Sequence, residues 1–155
     1  MQLREGTQLG QCARHGPRTP PPGWMPLDDC PFCQIEPHRI VAETALTLTI
    51  RDAFPVSPGH TLVIPKRHFA DLFDATDAES AEVWQALRLA AVELAPEHGP
   101  DGFNVGVNVG VAAGQTVMHL HWHLIPRYRG DQPDPRGGIR RIFPTLADYW
   151  TARDP

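Results

Sequence analysis

From Met118 to Leu124 the chain alternates apolar residues and histidines without a break, MHLHWHL, a period of two that a β-strand satisfies. A strand is therefore expected over 116–126, TVMHLHWHLIP. Met118, Leu120, Trp122 and Leu124 would share one face, suited to a core. His119, His121 and His123 would share the other, with Val117 and Ile125 above and below them. Three imidazoles in a row are costly to desolvate without partners, so the histidine face should line a cleft. A face that merely met solvent would normally carry Thr, Lys or Glu.

Other segments supply neighbours for that strand. ALTLTIRD (45–52) and TLVIP (61–65) read as strands joined through the turn-rich PVSPGH, a hairpin-like unit with a longer loop. GFNVGVNVG (102–110) reads as a strand interrupted by glycines, followed by a VAAG loop. Thr76 and Glu79 have capping-box spacing, and Val83, Trp84, Leu87, Ala91 and Leu94 recur at helical spacing. That predicts a helix from Asp77 to about Leu94 with Trp84 in the core, ended by Pro96, Gly99 and Pro100. HFADLFD (68–74) predicts a shorter helix and TLADYW a last short one. Antiparallel-looking strands beside segregated helices favour an α+β class.

The 155 residues suffice for one domain with a real core. Five prolines between Pro17 and Pro26 make residues 1–27 an extended or flexible arm, and the folded domain is expected over 28–155. Cys12 and His15 in that arm read as an incidental pair. A net charge of −4 argues against broad nucleic-acid binding, although a local basic patch is compatible with it. Without a bilayer-length apolar run or a leader-like start, a cytoplasmic protein with no membrane partner is expected. Three cysteines do not make a disulfide framework, and Cys30-x-x-Cys33 suits metal or redox chemistry better.

Two chemistries fit the histidines. His-x-His plus a third ligand could hold a catalytic zinc that activates water. Alternatively, one neutral imidazole could attack phosphorus, its other nitrogen hydrogen-bonded to fix tautomer and aim. Gly110, Gly114, Gln115 and Thr116 precede the histidines and suit a site that wraps an oxyanion. Residues 105–127 contain no Asp or Glu to orient metal ligands. The local chemistry thus favours an anionic phosphate.

NVGVAAGQTVMHLHWHLIPR (108–127) resembles the signature of the histidine triad (HIT) family, RDAFPVSPGHTLVIPKRH (51–68) its second block and CPFCQI (30–35) its opening block. The likeness covers roughly residues 30–144 and implies a HIT-like fold, an antiparallel sheet of about five strands with one long and one or two short helices. It also implies a homodimer sharing a continuous sheet. By resemblance His121 is the nucleophile, forming a nucleotidyl-histidine that water or another acceptor resolves. His123 supports the phosphate, and His119 completes the triad. Gln115 and Thr116 match phosphate-contacting positions, Asn108 a binding-site asparagine and Asp52 a ribose-binding acid, with a simple turn role as the alternative. Phe32, Ile35 and Leu62 match the base pocket, or are plain core.

The resemblance further implies a structural zinc on Cys30, Cys33, His68 and His119, as in a subset of the family and in galactose-1-phosphate uridylyltransferases. Two thiolates and two imidazoles are a sensible closed tetrahedral set. His38 and His60 are expected to be structural or surface residues, and His98 has no assigned role. The tail PRYRGDQPDPRGGIRRIFP resembles that of bacterial members regarded as diadenosine polyphosphate hydrolases or phosphorylases. Its Arg127, Arg129, Arg136, Arg140 and Arg141 could grip a polyphosphate, or form a basic turn partly neutralised by Asp131 and Asp134. The function implied is a nucleotide hydrolase or transferase, with a dinucleoside polyphosphate favoured as substrate. A nucleoside phosphoramidase and a non-catalytic nucleotide-binding regulatory module are the alternatives.

Overall fold

The computed structural model describes residues 29–147. The expected arm over 1–27, with Cys12 and His15, lies outside the described residues. Five strands, β1 (Ile40–Glu43), β2 (Thr47–Arg51), β3 (Thr61–Pro65), β4 (Gly102–Val107) and β5 (Trp122–Arg127), form one antiparallel sheet in the order β1-β2-β3-β5-β4. Helix α1 (Asp77–His98) covers one face, and a single helical turn, α2 (Pro144–Ala147), follows the last strand. The α+β class, the five strands and the one long and one short helix agree with expectation. The edge strand β1 has no counterpart among the expected strands; its four residues are too few to show a period.

β3 is buried on both faces, which explains its unbroken apolar run. Toward α1, Val63 packs with Leu120, Trp122, Leu124, Val83, Leu87 and Leu94. Each such side chain contributes roughly 1.5–3 kcal/mol by leaving water. On the other face Ile50, Leu62 and Ile64 meet Phe32, Ile35 and Ile40. Strand register sets a row across that second face: Ile40 opposite Ile50, Ile50 opposite Leu62, Leu62 opposite His123, and His123 opposite Gly106.

α1 begins with the expected capping box: Thr76 Oγ1 accepts from the Glu79 amide (3.2 Å), and Glu79 Oε2 accepts from the Thr76 amide (2.8 Å). Arg67 grips the same buried carboxylate with two N–H groups at 2.9 and 2.8 Å while its guanidinium lies 4.3 Å over the Phe69 ring. Glu82 accepts from the Thr44 hydroxyl and the Leu46 amide, tying the β1–β2 turn to the helix.

Four sequence expectations are corrected. Trp84 is 62% exposed: the buried face runs through Val83, Ala86, Leu87, Ala90 and Leu94, and Trp84 stands one position off it. Pro96 does not end α1, which continues to His98 and stops at left-handed Gly99. It sits in an exposed last turn, where water can take the carbonyl it leaves without an amide. Residues 68–74 form only a 3-10 turn at Leu72–Asp74, because the carbonyls of Phe69 and Ala70 accept from the Leu120 amide (2.7 Å) and Gln115 Nε2 (3.0 Å) instead. For the same reason the strand expected over 116–126 is regular only from Trp122: before it, the chain bonds to residues 69 and 65 rather than to a ladder.

Candidate functional site

The segment between β4 and β5 is held by one side chain. Gln115 is buried; its Oε1 accepts from the Gly110 amide (2.7 Å), and its Nε2 donates to Ala70 O (3.0 Å) and Val117 O (3.2 Å). The structure thus places Gln115 as a clamp on the loop, with Thr116 exposed beside it. Asn108 is half-buried just beyond β4, two residues from Gly106 and so on the His123 side of the strand direction.

His119 is fully buried rather than lining a cleft. Its Nε2 lies 2.8 Å from Pro65 O, an acceptor only, so the proton belongs on Nε2 and the Nδ1 lone pair is free. That Nδ1 is 3.5 Å from both Cys30 Sγ and Cys33 Sγ, and His68 Nδ1 is 3.2 Å from Cys33 Sγ. The four candidate ligand atoms lie within 4.8 Å of one another. Zinc bonds of about 2.3 Å to sulfur and about 2.0 Å to nitrogen make tetrahedral S···N edges of roughly 3.5 Å. Tautomer and spacing therefore both fit zinc. Desolvation and the adjacent Cys30 push the Cys33 thiol up to about 11, an environment in which a bound dication would favour the thiolates.

His121 stands next, with 8% of its surface exposed. Its Nδ1 lies 2.9 Å from the carbonyl of His119, so the proton sits on Nδ1 and Nε2 keeps its lone pair. Burial lowers its pKa, which favours the neutral ring, and Phe32 meets it edge-on at 4.9 Å. Phe32, Ile35 and Leu62 form one apolar cluster on the face that carries His123, compatible equally with a base pocket and with core.

His123 lies 5.0 Å from the His121 ring. Burial, with His121 and His60 nearby, lowers its pKa to about 4. Its Nδ1 is 3.0 Å from His60 Nε2, and His60 Nδ1 is 3.3 Å from Asp52 Oδ2. Asp52 Oδ1 also accepts from the Phe54 amide at 2.9 Å, so the turn role is present alongside any other. A single cation could not satisfy both contacts of His60, because they use its two opposite nitrogens. His60 Nε2 is hydrogen-bonded to His123, its Nδ1 also lies 3.4 Å from the Val56 amide, and Asp52 stands beside it as a charge contact.

His60 is the residue that sequence reasoning misses. It is buried, with 4% exposed, and touches the site directly, where a structural or surface role is the expectation. The available signal is parity: His60 and Leu62 are two residues apart, and Leu62 pairs with His123.

The tail arginines are largely engaged within the chain. Arg127 holds Asp131 with two N–H groups (2.7 and 2.8 Å) and Asn104 with a third (2.5 Å). Arg136 grips Asp134, Arg129 faces Asp101, Arg141 donates to Arg136 O and Arg140 to Leu146 O.

The family model of the HIT domain matches residues 34–130. A protein named "AP-4-A phosphorylase" from Mycobacterium tuberculosis is 37% identical over 108 residues, covering 69% of this chain and 55% of that protein. "Adenylylsulfatase HINT3" from Arabidopsis thaliana is likewise 37% identical over 108 residues, covering 67% and 55%. This chain spans about half the length of those two relatives. Among solved structures, a zinc-bound histidine triad family protein from Mycobacterium smegmatis is 37% identical with a TM-score of 0.62, covering 69% of this chain and 85% of that one.

Proposed function

Since the chain belongs to the HIT family, we propose that it is a nucleotide hydrolase or nucleotidyl transferase, acting on a phosphoanhydride through a covalent nucleotidyl-His121 intermediate. The observation that carries this reading is the 2.9 Å contact from His121 Nδ1 to His119 O, which leaves a neutral Nε2 lone pair free to attack. In the first displacement Nε2 bonds the α-phosphorus and the phosphorus–oxygen bond to the leaving polyphosphate breaks. Water then bonds phosphorus, the phosphorus–nitrogen bond breaks and the nucleotide departs. His123 supports the phosphate. The clamp on Gln115 shapes the loop, Thr116 and Asn108 face the substrate, and Phe32, Ile35 and Leu62 receive the base.

Dinucleoside polyphosphate is the favoured substrate class, supported by the relative named for AP-4-A phosphorolysis. The adenylylsulfatase relative favours a second reading, a broader nucleotidyl enzyme whose leaving group varies; a phosphoramidate would be one such substrate. Cys30, Cys33, His68 and His119 would hold a structural zinc. Four protein ligands leave it no open position, so its contribution is to lock the segment that carries His119.

A homodimer is the proposed form, supported by β4 lying at a sheet edge and by exposed Trp84 and Val92 on α1. Among the described residues no helix is long and apolar enough to cross a membrane, and a cytoplasmic location is proposed.

The test incubates wild type and His121→Ala with a dinucleoside tetraphosphate and an adenosine phosphoramidate. Turnover and trapped labelled nucleotide are expected on wild type alone. Undiminished turnover by the variant sinks the nucleophile assignment, and binding without turnover by wild type supports a regulatory module instead.

A further inference from the structure

The cysteine cluster and the nucleotide site meet at one residue, Phe32, which stands between Cys30 and Cys33 in the chain. The Cys33 amide donates to Cys30 O at 3.0 Å, closing a four-residue turn. Such a turn holds its end Cα atoms within roughly 7 Å of each other, inside the reach of a disulfide. The two sulfurs differ in access. Cys33 is exposed, whereas Cys30 is buried beside the His119 ring. That is the layout of a sensing thiol with a resolving partner behind it.

Phe32 carries the state of the sulfurs to the site. Its ring meets the His121 ring edge-on at 4.9 Å and the His119 ring at 6.1 Å. With Ile35 it packs against Ile50, Leu62 and Ile64. Two thiolates on one zinc stand roughly 3.8 Å apart, the tetrahedral edge for bonds of about 2.3 Å. In a disulfide they stand about 2.0 Å apart. Closing that gap pinches the turn, and the pinch falls on the residue whose ring touches His121.

We propose that Cys30-Pro31-Phe32-Cys33 is a redox switch on the base pocket: a peroxide joins the two sulfurs, the zinc is given up, and Phe32 leaves its place beside His121. The link to the pocket rests on the nucleotide reading given above. As zinc ligands both sulfurs are thiolates, the nucleophilic form. Cys33 Sγ attacks one oxygen of the peroxide; the oxygen–oxygen bond breaks, Cys33 becomes a sulfenic acid, and the released hydroxide takes up a proton. Cys30 Sγ then attacks Cys33 Sγ, forming the sulfur–sulfur bond and expelling a second hydroxide, which is protonated in turn. Two thiolates and two protons thus reduce one hydrogen peroxide to two waters. His68 and His119 remain as two ligands, too few for a closed site. A dithiol reductant reverses the step.

The experiment treats the full zinc-loaded chain with increasing hydrogen peroxide. Released zinc is read with a chromogenic chelator, and peptide mapping after alkylation locates the oxidised sulfurs, separating Cys12 from the pair. About one zinc is expected per Cys30–Cys33 disulfide, and dithiothreitol with added zinc should reverse both. Binding of adenosine, guanosine, cytidine and uridine 5′-monophosphates is then measured by calorimetry on the reduced and oxidised protein. Affinity for the preferred nucleotide is expected to fall about tenfold on oxidation, the size of one lost base–aromatic contact. Zinc-loaded Phe32→Ala should bind as weakly as oxidised wild type and lose nothing more on oxidation, while still releasing zinc. Zinc retained after peroxide, or released without the disulfide, overturns the switch. Equal affinity of the two wild-type states overturns its link to the pocket. A further loss on oxidising Phe32→Ala assigns the fall to general loosening and overturns the role of Phe32. Failure of the reduced protein to bind any of the monophosphates counts against the nucleotide reading instead, and the zinc and disulfide measurements still decide the switch.

Discussion

Gly59→Ala separates two costs that usually arrive together. Gly59 has φ 79°, and a Cβ built there would meet Leu94 Cδ2 at 2.8 Å and His98 Cδ2 at 2.9 Å. Left-handed backbone costs an L side chain roughly 1–2 kcal/mol. Overpacking a filled site costs roughly 1–3 kcal/mol more, and Leu94, which is fully buried, has little room to give. The expected loss is therefore about 2–5 kcal/mol. Gly99 is the internal control: φ is 56°, yet a Cβ added there would meet nothing within 4 Å. Gly99→Ala should incur the backbone cost alone, about 1–2 kcal/mol. Urea unfolding of both variants gives the difference, expected at about 1–3 kcal/mol with an unchanged m-value. Equal losses in the two variants would refute the claim that the PGH turn is packed against α1. A loss at Gly59 below about 1 kcal/mol would refute the backbone argument as well.

Two further outcomes follow from the ion pair and the cysteine cluster. Hydrogen bonds from Arg67 hold the Glu79 carboxyl down from 4.5 to about 2, so the stabilisation it contributes is present above pH 4.5 and is lost as pH falls toward 2. Acid unfolding monitored by circular dichroism should be less steep across that window in Glu79→Gln, and an identical profile would remove Glu79 from the account. Zinc bound by Cys30, Cys33, His68 and His119 should appear as about one equivalent by elemental analysis and be lost in Cys30→Ser. Chelation should lower the melting temperature, with activity declining gradually as the fold loosens rather than at once. Immediate loss of turnover without a change in melting would argue for a catalytic metal.

Local periodicity reveals most of the framework, because β2, β3 and α1 are set by short-range rules: alternation, a capping box and an apolar helix face. It misjudges elements whose hydrogen bonds go elsewhere. Residues 68–71 look helical in isolation, yet the carbonyls of Phe69 and Ala70 are taken by the chain some fifty residues on. Trp84 looks like core because tryptophan is large and apolar, but one step of about 100° carries it off the buried face. In the site, the alternating histidines are visible at once, and their different surroundings are not. Burial of His119, tautomer control of His121 and the His60 contact to His123 depend on Pro65, a backbone carbonyl and a loop, none of which a spacing pattern encodes.

His119 serves two neighbours through two parts of one residue: its ring faces the cysteines, and its carbonyl accepts from His121. Every amino acid carries that carbonyl, so the aim of His121 places no demand on which side chain occupies position 119. Choice of residue there is set by the ring's own contacts, Nε2–H to Pro65 O and Nδ1 toward Cys30 and Cys33. A relative without Cys30 and Cys33 is therefore expected to tolerate another first residue and still orient the second, whereas under the proposed mechanism position 121 has no such freedom.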